Sequence, residues 1–399
     1  MVKKPRTMSL SFPRHSNVLV ASWSVFAIMA ATFTWYPLLP LYLKELGAHS
    51  RDVGLAYTLL GLSFFILQGI GGILSDRIGR KRMIVAPTFM AVPCLVVAAA
   101  SRNWLVVTGC IVTVNLLSSL QWPSFLAMIS ESSEKESQGK GFAFLELTVA
   151  LSSALGPGLG YILLPHLGVR WLILLSAATL AGCALWRKRC LKETLPSQIA
   201  AASSPEKLKG FQLTRDILWC LVSFSFFSTL LCCTYSGPFV ALQAGEQMHF
   251  RQEQINLMFG LSGLVAVVLS PFMGAMVDRL GAKWIYGWAC ILTAVGLYFW
   301  HLSDGLVSPI LLYILPQCGY QLCFVAHDTM LADVAPSRNK SLFIGLLVMA
   351  PGIIGSAGPI LGMYASERLG SQAPFLCVLV LGILAFMTIV PLKKEVSEG

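Results

Sequence analysis

The sequence predicts an all-α polytopic membrane protein in which twelve transmembrane helices form two similar six-helix bundles. Three observations lead to this fold class. Only 12% of the residues are charged and 56% are hydrophobic, whereas about a quarter of an average soluble domain is charged. The apolar residues fall into twelve long runs, and two motifs of the first half of the chain recur at one fixed spacing in the second half.

Each apolar run is long enough to cross a membrane, because a bilayer core about 30 Å thick needs roughly 20 residues of helix. Backbone polar groups find no water in lipid, so the runs must be helices rather than open strands. We call them spans 1 to 12, and they lie near residues 17–43, 53–75, 83–101, 104–129, 139–164, 168–186, 217–241, 254–277, 284–302, 307–332, 340–365 and 372–391.

The positive charges predict the topology. With the basic N-terminal stretch on the inside, 23 of the 29 Lys and Arg residues fall on the inner side and 6 on the outer side, as the positive-inside rule requires. No small-residue cleavage site follows that stretch, so we expect a retained tail. The net charge of +10 therefore reports orientation in a plasma membrane and not a nucleic-acid partner.

A stretch rich in Ser, Ala, Pro and Lys, without a spanning pattern, separates span 6 from span 7. It leaves six spans on each side, and both termini are expected in the cytoplasm. The short loops favour a bacterial inner membrane. The predicted segments are a cytoplasmic tail at 1–16, a six-helix bundle at 17–186, a cytoplasmic linker at 187–215, a second six-helix bundle at 216–391 and a cytoplasmic tail at 392–399.

A spacing of 202 residues relates the two halves. The aligned stretches are "GILSDRIGRKRM" (72–83) with "GAMVDRLGAKWI" (274–285), and "GPGLGYI" (156–162) with "GPILGMY" (358–364). Glu131 and Asp333 stand the same distance apart. Three anchors at one spacing favour a duplication. Because each half holds six spans, both halves have the same orientation and form a parallel repeat.

Three stretches resemble motifs of one transporter family. "GGILSDRIGRKR" (71–82) resembles the signature loop between spans 2 and 3 of the major facilitator superfamily, and "LGPGLGYIL" (155–163) resembles the Gly-Pro motif of its exporters. "YPLLPLYLKELG" (36–47) is similar to the end of span 1 in the drug:proton antiporter branch. The resemblance implies the major facilitator fold, with spans 1, 4, 7 and 10 around a central cavity and spans 3, 6, 9 and 12 facing lipid.

The charged loop after span 2 is predicted to act as a latch. Gly72 permits close approach of another helix, and Gly79 suits a tight turn. Asp76 lies one helical turn before Arg80 and can pair with it. The resemblance implies that Asp76 contacts the start of span 11, that Arg80 reaches Glu131 at the end of span 4, and that the latch holds the halves together when the transporter faces outward.

The second copy of this loop is incomplete, since Ala282 stands where Arg80 would repeat. The two latches are therefore expected to differ in strength. Arg77, Lys81 and Arg82 have an alternative role as anchors among anionic lipid headgroups. The full set of predicted gating positions is Gly72, Asp76, Arg77, Gly79, Arg80, Glu131, Asp278, Arg279 and Asp333.

The Gly-Pro motif has two interpretations. Pro157 removes one helix hydrogen bond and the neighbouring glycines permit close packing. The motif either bends span 5 so that it seals against a partner helix and limits leak, or serves ordinary helix packing. Its positions are Gly156, Pro157 and Gly160 in span 5 and Gly358, Pro359 and Gly362 in span 11.

Ionisable residues at membrane depth are candidates for proton coupling. Asp328 comes first, followed by Glu146 and His327, because a carboxylate in low dielectric and an imidazole both exchange protons near neutral pH. Alternatively, Asp328 is an interfacial charge paired with Arg338 or Lys340. Proton-coupled relatives usually carry an arginine in span 4, which this chain lacks.

The predicted cavity lining is aromatic and polar but uncharged. Such a lining suits an uncharged or amphipathic molecule, or a cation held by aromatic faces. It suits a multiply charged anion poorly, because every Lys and Arg is assigned to a loop. The candidates are Trp35 and Tyr36 in span 1; Asn115, Gln121 and Trp122 in span 4; Phe227 and Tyr235 in span 7; and Tyr313, Gln317, Tyr320 and Gln321 in span 10.

The sequence therefore predicts a secondary transporter, most simply a proton-coupled exporter of a small amphipathic or drug-like compound that works by alternating access. An uptake symporter or a facilitator for a sugar-like solute stays open, as does a non-transporting sensor on the same scaffold. An enzyme is disfavoured, because the chain has neither a clustered His/Asp/Glu metal set nor a G-x-S-x-G or P-loop motif. We expect no cofactor or metal, protons as the coupling ion, and a monomer in the bilayer.

Overall fold

The computed structural model describes the ranges 16–132, 138–195, 215–232, 237–334 and 340–392, without the side chains of residues 138, 139, 232, 332–334 and 340–346. Helices lie at all twelve predicted spans. Span 1 comprises Ser16–Phe33, Tyr36–Leu38 and Leu39–Glu45; span 2, Ser50–Ile66 and Gln68–Ile78; span 3, Arg80–Ala100; span 4, Trp104–Ser132; and spans 5 and 6 together, Gln138–Cys190. Span 7 comprises Arg215–Cys232, Phe239–Leu242 and Gln243–Gln247; span 8, Gln252–Leu280; span 9, Ala282–His301; span 10, Val307–Leu312 and Ile314–Val334; span 11, Lys340–Gly355 and Gly358–Leu369; and span 12, Ala373–Ile389.

Most of these helices can cross a membrane. Within the described part of the chain, nine helical stretches are long and apolar enough, and one of them, Lys140–Cys190, carries both span 5 and span 6. The long helix of span 7, Arg215–Cys232, has 18 residues, and span 12 is the apolar 17-residue helix Ala373–Ile389. The predicted fold class of twelve helices in two parallel six-helix halves is confirmed.

Glycines make the tight reversals between consecutive spans. Gly79 joins spans 2 and 3 with φ 102°, and Gly281 joins spans 8 and 9 with φ 88°. These left-handed conformations strain any residue with a Cβ atom. The two glycines are related by the 202-residue spacing, so the repeat predicted from the sequence reappears as equivalent turns. Gly168, with φ 74°, separates span 5 from span 6 inside one otherwise helical segment.

Two pairs of spans bring the halves together. Span 5 packs on span 8, and span 2 packs on span 11. A Cβ atom added to Gly260 in span 8 would lie 2.9 Å from the backbone nitrogen of Gly158, and one added to Gly54 in span 2 would lie 2.9 Å from Met363 in span 11. Small residues thus let the backbones of the two halves approach closely.

Polar contacts also join the halves at one end of the bundle. We call this end the outer face, and the opposite end, where Gly79 and Gly281 lie, the basic face. Near the outer face the inter-half contacts are Lys44 with Glu246 (2.5 Å), Arg51 with Glu367, the Gln252 amide to Glu45 (2.6 Å), the Asn256 amide to the Thr34 carbonyl (2.9 Å) and the Ile360 N–H to the Thr58 hydroxyl (3.3 Å).

Acidic residues of both halves are exposed near the basic face. Glu146 of span 5 is exposed, and the side chain of Asp328 in span 10 is 59% exposed. Glu146 lies within electrostatic reach of Asp328, so acidic side chains of both halves are brought near each other there. Among the described residues, the polar contacts that close the gap between the halves lie at the outer face.

Candidate functional site

The latch residues form a charged network inside the N-terminal half. The side chain of Arg80 is only 11% exposed and pairs with Asp76 at 2.5 Å and with Glu131 at 3.1 Å. It also donates to the Ser75 hydroxyl at 3.0 Å, which in turn accepts a bond from Ser124 at 2.8 Å. Charge-assisted hydrogen bonds of this kind are the strong ones, so the network ties together spans 2, 3 and 4.

The turn at Gly79 determines where Arg80 lies. A Cβ atom at Gly79 would lie 2.5 Å from a carboxylate oxygen of Glu193, which belongs to the stretch after span 6. That carboxylate accepts hydrogen bonds from the backbone N–H groups of Arg80 (2.9 Å) and Lys81 (3.2 Å). It satisfies donors that every helix leaves free at its start. No sequence motif predicts this role for Glu193.

Two other latch expectations have a different outcome. A Cβ atom added to Gly72 would meet only Pro123, at 3.9 Å, whereas one added to Gly71 would lie 2.5 Å from the Leu120 carbonyl oxygen. The close approach of span 2 to span 4 is therefore at Gly71 and not at Gly72. The predicted contact of Asp76 with the start of span 11 falls on side chains outside the described residues.

The remaining gating positions stay apart from this network. Arg77 points to the exposed surface, as the alternative role of a lipid-headgroup anchor would require. In the second copy, Asp278 and Arg279 are both exposed. The side chain of Asp333 lies outside the described residues. The described part of the second loop thus shows no counterpart of the Arg80 cluster, in keeping with the alanine at 282.

The three proton-coupling candidates lie together at the basic side of the cleft. Asp328 accepts a hydrogen bond from the ring of His327 at 3.0 Å. His327 is 9% exposed and its ring packs against Phe224, with centroids 4.3 Å apart. Glu146 of the other half lies within electrostatic reach of Asp328, and Tyr320 lies within electrostatic reach of both carboxylates. Titratable groups of both halves are therefore brought to one place.

The depth of the carboxylates is similar on both sides. Glu146 lies eight residues from the start of its helix and Asp328 six residues from the end of its own, or about 12 Å and 9 Å along the axis at 1.5 Å per residue. The alternative pairing of Asp328 with Arg338 or Lys340 involves side chains outside the described residues.

Two predicted cavity residues are instead buried inside the N-terminal half. Trp35 is 1% exposed, and its indole N–H donates to the Ser176 hydroxyl at 2.8 Å. Gln121 is 7% exposed, and its side-chain oxygen accepts from Thr88 at 2.9 Å. Both side chains have polar partners within the bundle, so neither lines the cavity in this conformation.

The other cavity candidates divide by exposure. Tyr313 is 1% exposed and sits between the rings of Phe259 and Trp300 in the C-terminal half, so it is a packing residue. The Asn115 amide donates to the Leu60 carbonyl at 3.3 Å. Tyr235 lies outside the described residues. Phe227 and Gln317 are buried, whereas Tyr36, Asn115, Trp122, Tyr320 and Gln321 are partly exposed.

A small recess lies between the halves near the outer face. Tyr36 lines it together with Phe33, Pro37 and Tyr57 of the N-terminal half and Phe259 of the C-terminal half. Aromatic rings from both halves therefore meet where the cleft is closed. Tyr36 is the predicted cavity residue that lies at this closed end.

An arginine that the sequence analysis assigned to the linker is buried in the bundle. The helix of span 6 continues to Cys190, and Arg187 is 3% exposed. Its guanidinium donates to Ser24 (2.8 Å), Thr88 (2.9 Å) and Gln121 (3.4 Å). It also lies 4.7 Å from the ring centre of Phe125. The expectation that no Lys or Arg is buried among the spans is therefore wrong.

The direction of span 6 explains this placement. Helical side chains lean toward the N-terminus of their helix, and span 6 runs from the outer face to the basic face. Arg187 near its end therefore leans back among spans 1, 3 and 4. The signal in the sequence was the presence of polar residues in these apolar spans, among them Ser24, Thr88 and Gln121, which supply neutral acceptors to a buried cation.

The Gly-Pro motif of span 5 makes the tightest helix contacts near the outer face. A Cβ atom on Gly156 would lie 2.8 Å from the Ala30 carbonyl oxygen, and one on Gly160 would lie 2.4 Å from the Thr34 carbonyl oxygen. That added atom would also lie 2.4 Å from the amide nitrogen of Asn256 in span 8. The helix stays continuous through Pro157. Close packing that includes the other half is thus what the motif provides here.

The copy in span 11 behaves differently. Gly358 and Pro359 begin a new helix, Gly358–Leu369, after a short interruption of span 11. Proline is favoured in the first turn of a helix, where its missing N–H costs nothing. A Cβ atom on Gly362 would lie 2.4 Å from the ring of Phe239 in span 7. The second motif therefore restarts a helix inside its own half.

Comparison with known proteins identifies the class. The sequence profile described as Major Facilitator Superfamily matches residues 21–235 and 222–399. The chain belongs to this superfamily, so it is a transporter rather than an enzyme. A point mutant of the nucleoside transporter NupG has a crystal structure similar to this fold, with a TM-score of 0.78 over 94% of this chain and 100% of that one at 13% identity.

Two curated relatives are efflux or resistance proteins. The multi-drug resistance efflux pump PmrA homolog of Lactococcus lactis is 25% identical over 96% of both chains. The quinolone resistance protein NorA of Staphylococcus aureus is 26% identical over 146 residues, which is 37% of this chain and 38% of NorA. The match thus spans little more than a third of NorA. These relatives agree with the resemblance to the drug:proton antiporter branch.

The buried Arg187 depends on its neutral acceptors, which gives a first prediction. Thr88→Val should destabilise the protein by about 2 kcal/mol, because hydrogen bonds to charged groups contribute roughly 1.5–3 kcal/mol. Thermal unfolding of the purified protein measures the loss. The same change in an Arg187→Met background should cost much less. Thr113→Val, at an exposed hydroxyl bonded only to the Gly109 carbonyl, is the control. Equal losses in both backgrounds would contradict the account.

Two glycines of span 5 give a matched pair for the second prediction. Gly160→Ala should weaken closure of the outer face by about tenfold, since forced overpacking costs roughly 1–3 kcal/mol. Gly158→Ala should have little effect, because its Cβ atom would meet nothing within 4 Å. Spin labels at Arg102 and Asp304, exposed residues of the outer loops, report the distance between the halves. Equal behaviour of the two variants would show that this contact does not hold the outer face closed.

Proposed function

We propose that this protein is a secondary active transporter that exports a small amphipathic compound in exchange for protons by alternating access. One observation carries the proposal. Glu146 and Asp328, one from each half, lie within electrostatic reach of each other, both are exposed, and the polar contacts that join the described parts of the halves lie at the opposite, outer face. Titratable groups at membrane depth commonly serve ion pathways.

The carboxylate pair supplies a reason for coupling. Two like charges on opposite walls repel each other more strongly as the walls approach and water leaves. Closing the basic face is therefore unfavourable until one carboxylate takes up a proton or a cation lies between them. A bound proton and a cationic compound then promote the same closure, and each competes with the other for the site. Only such a difference between the two states can move the equilibrium.

The surroundings of the pair favour an amphipathic substrate. Tyr320 and Phe324 lie on the wall that carries Asp328, with ring centroids 5.9 Å apart, and Tyr36 stands at the closed end of the cleft. Aromatic faces bind organic cations and apolar rings alike. Arg187 is enclosed in the N-terminal bundle and does not reach the cleft. The efflux and resistance roles in the names of the two curated relatives support export.

The latch and the orientation complete the proposal. The basic face is the cytoplasmic face of a bacterial inner membrane, because the positive-inside rule governs the loops there. Both termini are cytoplasmic and the working unit is a monomer. Arg80, with Asp76 and Glu131, stabilises the state in which this face is closed against span 11. The first bundle ends and the linker begins after the turn that carries Glu193.

Proton movement tests the proposal directly. Purified protein in liposomes is exposed to a panel of lipophilic cations, neutral drugs and sugars while a trapped dye reports lumenal pH. A compound-dependent pH change should appear with an amphipathic compound and fall at least tenfold in Asp328→Asn and Glu146→Gln, because neither variant can carry a proton at that position. Glu253→Gln, an acid at the outer start of span 8, should behave like the unmodified protein.

Each other outcome contradicts the proposal in a different way. Uptake of a compound without proton movement would indicate a facilitator, in line with the absence of an arginine in span 4. Proton movement with a sugar alone, in the same direction as the sugar, would indicate a symporter. Binding of a compound without any flux would indicate a sensor.

A further inference from the structure

The stretch that follows span 6 is folded against the basic face of the N-terminal half. Asn17 holds its backbone in both directions, since the Asn17 side chain accepts from the Lys192 N–H at 2.9 Å and donates to the Lys192 carbonyl at 3.1 Å. The Asn17 amide also donates to Ser132 at the end of span 4. Residues 191–195 are therefore fixed to spans 1 and 4 before the chain continues toward span 7.

The next two residues contact both partners of the latch. One oxygen of Glu193 accepts from the backbone N–H of Arg80 and the other accepts from that of Lys81, at 2.9 and 3.2 Å. Thr194 donates to one oxygen of Glu131 at 2.6 Å, while Arg80 binds the other oxygen of the same carboxylate. The backbone of the arginine and the carboxylate of its acid are thus held by adjacent residues of one loop.

This arrangement leaves little freedom at the turn. The left-handed Gly79 has no Cβ atom, and the Glu193 carboxylate occupies the space that one would need. A carboxylate at a helix start is also stabilised by the helix dipole. Without Glu193 the first turn of span 3 would exchange these bonds for water, and the Arg80 side chain would no longer start from a fixed backbone.

We propose that Glu193 and Thr194 are positioning residues of the latch, with Glu193 orienting Arg80 and Thr194 orienting Glu131. The inter-half linker is then part of the gating machinery and not only a tether, because its first residues determine the geometry of the Arg80–Glu131 pair on which the latch depends. The inference rests on the proposed role of the latch in transport. It adds residues that belong to neither of the two latch motifs.

The test is a double-mutant cycle read out as a population of conformations. Spin labels at Arg189 and Leu280, exposed residues at the basic ends of the two halves, report their separation by pulsed EPR in a background without native cysteines. Glu193→Ala should raise the ratio of open to closed basic face by about threefold to tenfold, the range expected from a lost charged cap. Glu193→Gln should give a smaller shift, and Glu253→Gln, an acid in the first turn of span 8, should give none.

Coupling to Arg80 separates positioning from general stability. Residues that act through one another show non-additive effects. In an Arg80→Ala background, Glu193→Ala should therefore cause no further change in the distance distribution. A full additional shift in that background would overturn the inference, as would a lower melting midpoint with unchanged distances. If Glu193→Ala does not fold, Glu193→Gln and Thr194→Val are measured in the same cycle.

The cycle also distinguishes the two proposals. If Arg80→Ala itself leaves the distances unchanged, the latch has no role in the equilibrium and both proposals about it fail. If Arg80→Ala shifts the distances and Glu193→Ala does not, the latch stands and only the positioning role of the linker fails.

Discussion

The free-energy cost of removing a charge from water governs how this chain is organised. Moving an unpaired ion from water into a medium of low dielectric costs roughly several kcal/mol, even after the surrounding protein relaxes. The chain therefore places most of its 29 Lys and Arg residues at the ends of the spans. The described exceptions are informative for that reason. Arg187 is buried with three neutral acceptors and an aromatic face, whereas Glu146 and Asp328 are exposed.

The two faces of the molecule close by different physics. At the outer face, glycines of span 5 bring its backbone against spans 1 and 8, and the amide of Asn256 bonds the Thr34 carbonyl across the halves. These contacts are short-ranged and depend on shape. At the basic face the proposed determinants are charges: the Arg80 network is proposed to favour closure and the carboxylate pair to oppose it. Because such charges respond directly to protons and charged ligands, we propose that binding alters the equilibrium at the basic face.

Much of the architecture could be predicted because it depends on length and spacing. The spans follow from apolar runs, and the turns at Gly79 and Gly281 follow from the 202-residue repeat. The pairing of Arg80 with Glu131 came from a family resemblance and has the expected geometry in the structure. These features are insensitive to a shift of a residue or two, which is the usual error in assigning the ends of a helix.

The details that failed depend on rotation about a helix axis or on the reach of a side chain. Consecutive residues point about 100° apart on a helix, so the contact expected at Gly72 is made by Gly71. Trp35 lies in the turn between the helices Ser16–Phe33 and Tyr36–Leu38 and is buried in the bundle, whereas Tyr36 lines the recess near the outer face. The count of charges assigned Arg187 to the linker, but its long side chain reaches back into the N-terminal bundle. Glu193 could not be found at all, because its partners are backbone groups that carry no sequence signal.

The most direct test of the account measures both faces in one set of samples. Spin-label distances between Arg102 and Asp304 report the outer face, and those between Arg189 and Leu280 report the basic face. In the double variant Glu146→Gln and Asp328→Asn, the repulsion across the cleft is gone, so the account predicts a shorter basic-face distance and a longer outer-face distance together. Unchanged distances, or closure of one face without opening of the other, would contradict the claim that these carboxylates control alternating access.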